Sequence, residues 1–371
     1  MKVYLDNAAT TELSYPVKEY IVSLLDYFGN PSSQYEDGKK TKQIIENARN
    51  NVADFINADP EEIIFTSGGS ASNTLAIKGY YDANPCTILY SAIAHKSILK
   101  CVKSIGDVHK IYVTNDGTLD LFILEDMLEE HYMDHPFVIV EYANSEIGTI
   151  QDVKKIVDLV HKYDGIIYID CTGSISTIPI DVKELNADMI GFSGHKLHAL
   201  KGCGVLYMKK DIDISPLIYG AQEQGLFAGT ENVLGIASLG KAVENYNYEK
   251  ADKYVIKSYQ VQSYVENSID NCYLVGSESN RLPNNLFLCF KGVDGEQLMS
   301  LLDTKGIQVS TGSACNSGSK VVSNTLKEIR MNEEDLNSCI RMTFSGDEDF
   351  LGLDYVCICL KECVETLRKF A

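Results

Sequence analysis

No apolar run in the 371 residues is long enough to cross a bilayer, and the opening MKVYLDNAA lacks a basic segment followed by an apolar one. Those absences predict a soluble, untargeted, cytoplasmic protein with no membrane partner. Positive charge is also in short supply: 33 Lys and Arg stand against 52 Asp and Glu, a formal charge of −19. Nucleic acids are held by clustered Lys and Arg that displace counterions, so the imbalance excludes a general nucleic-acid surface. A disulfide framework is missing too. Eleven cysteines, an odd number, are scattered through core-forming segments, as in a protein kept reduced. Cys357, Cys359 and Cys363 crowd the last helical stretch, but their spacing scatters them around a helix instead of converging on one ion, so no metal site is expected. There is no internal repeat, low-complexity tract or flexible linker.

What is present is a series of short β-branched runs: EIIFTSGG, TILYSAI, KIYVT, FVIVEYA, IIYIDC, ADMIGFS and GVLYM. Runs apolar on both faces are what a buried, mainly parallel sheet requires. Between them, Ile44, Ala48, Val52 and Phe55, and then Val153, Ile156, Val157 and Val160, recur at helical spacing. Strands alternating with helices predict an α/β domain, whose ligands bind beyond the carboxyl ends of the strands. After about Gly240 the texture changes to a tyrosine-rich helical stretch, strand-like NNLFLCF and a C-terminal helix, DYVCICLKECVETLRKF. That change marks a second, smaller α+β domain packed closely on the first.

Three polar positions follow the predicted strands. Lys196, in GFSGHKLH, sits where desolvation lowers a lysine pKa, as an imine-forming lysine needs; it could equally be a lysine snorkelling out of a strand end. Asp170 ends IIYID, where a buried carboxylate can pair with a protonated pyridine nitrogen or simply cap the next turn. Gly68, Gly69 and Ser70 lie at a strand-to-helix junction that can hold a phosphate. Cys315 stands in TGSACNSG between Gly312 and Gly318, a loop composition that suits a mobile nucleophile.

These pieces are colinear with a known pattern. YLDNAATT, FGNPSS, FTSGGSASNTLAIKG, EYANSEIGTIQ, SGHKLHALKG, AQEQGLFAGT and VSTGSACNSGS, spread over nearly the whole chain, resemble in order and spacing the NifS/IscS-type cysteine desulfurases of the class-V aminotransferase family. The resemblance implies a fold-type I pyridoxal-phosphate-dependent transferase with a seven-stranded, mostly parallel sheet, and a homodimer. The expected division is residues 12–250 for the large domain, and 1–11 with 251–371 for the small one, which carries the Cys315 loop. The implied cofactor is pyridoxal 5'-phosphate, attached to Lys196, with Asp170 on its pyridine nitrogen. His95 is expected to stack on the ring and move protons near the substrate, and Asn144 to lie by the phenolic oxygen and the substrate carboxylate. Gly69, Ser70, Ser193 and His195 are expected at the phosphate, with Thr230 reaching the phosphate of the other subunit. Arg341, a surface charge by residue pattern alone, is expected to grip the substrate carboxylate with its planar fork. The implied activity converts L-cysteine to L-alanine, leaving a persulfide on Cys315 for a sulfur-acceptor protein in iron–sulfur cluster or thio-cofactor biosynthesis.

The chain departs from that pattern in places. Gly173 stands where a glutamine that bonds the cofactor's phenolic oxygen is usual, Ala71 replaces a glutamate, Ser145 an asparagine and Phe227 an arginine. Lys196, Asp170 and Cys315 are retained, which describes a divergent member. Two other readings stay open at this point: another class-V enzyme, such as a selenocysteine lyase or aminotransferase, and a degenerate cofactor-binding regulatory protein.

Overall fold

All seven of the early β-branched runs become strands of one sheet. The protein is described from a computed structural model, which covers residues 1–311 and 322–370. Its strands are β1 (Val3–Tyr4), β2 (Ile63–Thr66), β3 (Ile88–Ser91), β4 (Val108–Ile111), β5 (Phe137–Glu141), β6 (Ile166–Asp170), β7 (Met189–Ser193), β8 (Gly204–Met208), β9 (Cys272–Leu274), β10 (Asn285–Phe290), β11 (Ile307–Gln308) and β12 (Cys339–Thr343). The large sheet has the order β2-β8-β7-β6-β5-β3-β4. Its strands run parallel except β8, which is antiparallel to both neighbours.

Side chains alternate between the two faces of a strand, and here both faces are covered. Val138, Val140, Ile167, Ile169, Ile190 and Phe192 enter one core, shared with helices Glu36–Ile56, Val153–Lys162 and Val233–Glu244. Phe137, Ile139, Tyr168 and Met189 enter the other, under helices Gly69–Ala83 and Lys96–Val102. Double-sided burial is why these strands read as continuous apolar runs. Val153, Ile156, Val157 and Val160 are all buried, as their spacing predicts. In helix Glu36–Ile56 the stripe is rotated: Ile45 is buried and Ile44 only half-buried. Two adjacent isoleucines offer the periodicity no way to choose between them.

The C-terminal third builds a three-stranded antiparallel sheet, β12-β10-β9. Leu286, Leu288, Phe290, Ile340 and Met342 pack under helices Ala251–Ser268, Gly295–Thr304 and Phe350–Arg368, and Val3 and Leu5 join the same cluster. Cys357, Cys359 and Cys363 are buried there as small apolar groups, and burial pushes the Cys357 and Cys363 thiols up to about 11. The opposite face of this sheet, Phe287, Cys289 and Cys339, packs on Ile93 and Ile147 from the loops after β3 and β5. The second sheet therefore sits beside the carboxyl ends of the parallel strands. No helix among the described residues is long and apolar enough to cross a membrane.

Candidate active site

The ends of β2, β3, β5, β6 and β7 open into a cavity of about 380 Å³, within the size range of small-ligand sites. Gly69, Ser70, His95 and Asn144 line it, as do Asp170, Ser193, His195, Lys196 and Arg341. Strand ends and the first residues of the following loops supply nearly all of these groups, as a parallel sheet requires. Thr230 is exposed and does not line the cavity. Cys315 lies outside the described residues.

Asp170 forms the floor and caps the turn that follows it, leaving its other oxygen to a neighbouring amide. Its Oδ1 accepts the Thr172 backbone N–H at 2.8 Å, closing the turn, while Oδ2 accepts from Asn73 Nδ2 at 2.8 Å. The second hydrogen of that amide goes to Ser97 Oγ at 2.8 Å, and Tyr168 OH donates to Asn73 Oδ1. Ser97 Oγ, having accepted from Asn73, is left to donate to His95 Nδ1 at 2.8 Å, and the Ser97 backbone N–H points at the same nitrogen at 3.2 Å. The network makes Nδ1 the acceptor and places the imidazole proton on Nε2. Burial lowers the His95 pKa, more than the nearby Asp170 carboxylate raises it, so the ring is neutral. Asn73 is thus a site residue that composition does not reveal. Its signal is the helical spacing of Gly69, Ser70 and Asn73 along one face.

The wall beside the floor comes from the loop after β5. Asn144 Nδ2 donates to Ile93 O at 3.1 Å and to Glu141 Oε2 at 3.0 Å, and its Oδ1 accepts the N–H groups of Glu146 and Ile147. The whole amide is engaged in fixing this loop. Glu146, buried and raised in pKa chiefly by desolvation, accepts from Ser323 Oγ at 2.8 Å. Gly173 has a backbone reason to lack a side chain: a Cβ there would come within 2.8 Å of Ala143 O and 3.3 Å of Ser145 Cβ.

Lys196 stands in the turn after β7, half-buried, and donates to the carbonyls of Ala8 and, at 2.9 Å, Ala9. Arg341, far from being a surface charge, is 3 % exposed; it donates to Ser145 O at 3.0 Å and pairs with Asp6 Oδ1 at 2.8 Å. The N-terminal segment therefore orients both cations. At the other end of the cavity, burial and then the charge of Lys196 bring the His195 pKa down to about 4, so that ring too is neutral.

The cofactor implied by the sequence can be tested against this geometry. Helix Gly69–Ala83 begins at the cavity after Gly68 at φ +146°, presenting the N–H groups of its first turn where Ser70, Ser193 and His195 gather. A Cβ on Gly69 would meet Thr172 Oγ1 at 2.9 Å, and one on Gly204 would meet the Gly68 backbone at 2.6 Å, so this cradle admits glycine only. Thr172 Oγ1 itself is buried with no hydrogen-bond partner among the described residues, and it lines the cavity. Anion-holding donors at one end, a buried carboxylate at the floor and a lysine between them fit pyridoxal 5'-phosphate.

Comparison with known proteins agrees. The aminotransferase class-V family model matches residues 3–356. The chain is 38 % identical over 383 residues to the cysteine desulfurase IscS of Dictyoglomus turgidum, covering all of this chain and 96 % of that protein. Among solved structures it resembles a NifS-like protein with a TM-score of 0.91 and 30 % identity over the full length of both chains. It also resembles SspA in complex with cysteine, with a TM-score of 0.81 and 29 % identity over 93 % of this chain and 99 % of that one. A cavity that fits a phosphate and a pyridine, with Lys196 in its lining, and sequence likeness along the entire chain lead to the same place: the chain belongs to the class-V aminotransferase family of pyridoxal-phosphate enzymes, among its cysteine desulfurases.

Proposed function

We propose that the protein converts L-cysteine to L-alanine and carries the released sulfur as a persulfide on Cys315. The observation that carries this reading is the convergence of Lys196, Asp170, His95 and Arg341 on one cavity, together with the lone cysteine of the sequence TGSACNSG. When bound, pyridoxal phosphate supplies an electron sink for charge developing at the substrate Cα, and Asp170 holds its pyridine nitrogen protonated. Gly69, Ser70, Ser193 and His195 hold the phosphate. Arg341 holds the substrate carboxylate, with Asp6 keeping its fork in place. Asn144 fixes the wall against which the substrate lies.

Lys196 moves the proton at the substrate Cα, a role suited to an amine at the cavity wall held by the Ala8 and Ala9 carbonyls. His95 presents Nε2–H to the cavity and moves the proton at the substrate sulfur. The Cys315 thiolate attacks that sulfur: the S–S bond forms, the Cβ–S bond breaks, and its electron pair is protonated at Cβ to complete alanine. The persulfide passes to a sulfur-acceptor protein in iron–sulfur cluster or thio-cofactor assembly. A homodimer in the cytoplasm completes the reading, with exposed Thr230 reaching the phosphate of the second subunit.

The test is anaerobic incubation of the cofactor-loaded protein with L-cysteine, with alanine quantified and the Cys315 peptide weighed. Alanine, and a mass increase of one sulfur atom on that peptide, is the expected result. Pyruvate in place of alanine would move the chemistry to transamination, and a Cys315→Ser protein that still formed persulfide would remove the thiol from its role.

A further inference from the structure

Glu141 is a buried acid that the desulfuration chemistry leaves unused. It is the last residue of β5, in register with Asp170, the last residue of β6, so the two carboxyl groups project from the same face at neighbouring strand ends. Both line the cavity. Glu141 Oε2 accepts from the Asn144 amide at 3.0 Å, and the His95 backbone N–H also bonds this carboxyl. One side chain thereby grips the wall residue on one side and the start of helix Lys96–Val102, which carries the His95 ring, on the other.

We propose that Glu141 is a positioning residue for the cofactor ring: its carboxyl anchors His95 and Asn144 against the floor that Asp170 forms. The inference rests on the proposed pyridoxal-phosphate site. The groups around the carboxyl are Asp170 from β6, Glu146 from the following loop, and His95; Lys96, Lys196 and Arg341 line the same cavity. The charges that act on the carboxyl most directly, Asp170 and then Glu146, are both acids. Burial first, and the Asp170 charge second, hold Glu141 well above the usual carboxylate range. Glu141 therefore keeps its proton to higher pH than an ordinary glutamate, which spares the floor a second negative charge beside Asp170. The sequence carries a matching signal, since FVIVE and IIYID are both four apolar residues ending in an acid.

The experiment compares holoprotein of the parent with Glu141→Leu and Glu141→Gln. Cofactor retention on dialysis and the pH midpoint of the visible absorption of bound pyridoxal phosphate are read beside alanine production. Leu removes both acceptors, and retention is expected to weaken about tenfold as His95 and Asn144 lose their anchor. Gln keeps an acceptor and stays neutral, and should restore most of that loss while moving the absorption midpoint by less than about 0.3 unit. A Leu protein that retains cofactor like the parent would overturn the anchoring role. A Gln protein whose midpoint falls by about one unit would overturn the neutral anchor, because that shift marks removal of a charge. If Leu does not fold, the Gln midpoint alone decides. Parent protein that binds cofactor but makes no alanine would sink the desulfurase reading while leaving both spectroscopic readouts intact.

Discussion

Two ends of the same parallel strands bury carboxylates in opposite ways. At the amino end of β7, Asp188 is 4 % exposed and saturated by partners: His161 Nε2 at 2.9 Å, Lys209 Nζ at 2.9 Å and the Ile167 N–H at 3.0 Å. Burial would raise its pKa, but the hydrogen bonds from His161 and Lys209 outweigh it and hold the carboxyl below the ordinary range. At the carboxyl end, Glu141 and Asp170 are about as deeply buried, yet they accept hydrogen bonds from the Asn144 and Asn73 amides and the Thr172 N–H. The first arrangement spends its carboxylate on stability. The second leaves two neighbouring acids, one of them with a raised pKa, facing an open cavity, as functional sites do.

The comparison can be broken most sharply at Lys196. Lys196→Ala should lose covalent attachment of the cofactor, seen as loss of its protein-bound visible absorption, and lower alanine formation by about a thousandfold or more. Next in size, Asp188→Ala leaves Lys209 and His161 without their buried partner and should cost about 3 kcal/mol in urea unfolding, with the bound-cofactor spectrum unchanged. If instead that spectrum changed, the two ends of the sheet would not be separable. Asp170→Asn should do the converse: about a hundredfold less alanine with a smaller loss of stability, because the amide still closes the Thr172 turn through its oxygen.

Acid and base sharpen the contrast further. Asp188 is depressed when folded, so its contribution is present above the unfolded value near 3.8 and is lost as pH falls through the lower folded value. His195 binds a proton near 6.5 when unfolded but only near 4 when folded, so it too destabilises the cofactor-free protein as pH falls across that window. Glu141 has the opposite sign. Raised when folded, it favours the native state below the unfolded value near 4.5 and gives that stability back as pH rises toward the folded value. Denaturant midpoints of the cofactor-free protein from pH 5 to 8 should therefore show a downward component in the parent that Glu141→Gln removes. A parent and variant with the same pH profile would mean that Glu141 is ionised throughout.

The sequence made the sheet legible because burial on both faces writes itself as unbroken apolar runs. It was silent on the order in which those runs pair, which depends on contacts between distant segments. Lys196, Asp170 and the glycine turn could be read as candidates from their positions after strands, and the family resemblance added His95, Asn144 and Arg341. Arg341 shows the limit of pattern alone. An isolated arginine in CIRMTFS carries no mark of burial, and only the fold supplies Asp6 and the Ser145 carbonyl to receive it. Asn73 escaped for a related reason, since an asparagine in a helix reads as a solvent-facing residue until Asp170 and Ser97 are placed around it. Gly173 looked like the loss of a functional side chain, whereas its backbone packs against the Ala143 carbonyl too closely for any Cβ.

The first residues of the chain are stitched to some of the last. β1 pairs with β11, Asn7 donates to the Thr343 carbonyl, Asp6 holds Arg341, and the carbonyls of Ala8 and Ala9 hold Lys196. On the ribosome, where the chain emerges from its amino end, the opening segment must wait for residues beyond 340 before it can take its native place. The lysine and the arginine are thus brought to order only after residue 341 has been made. The strands of the large sheet, all within residues 63–208, therefore leave the ribosome well before the segment that completes the site.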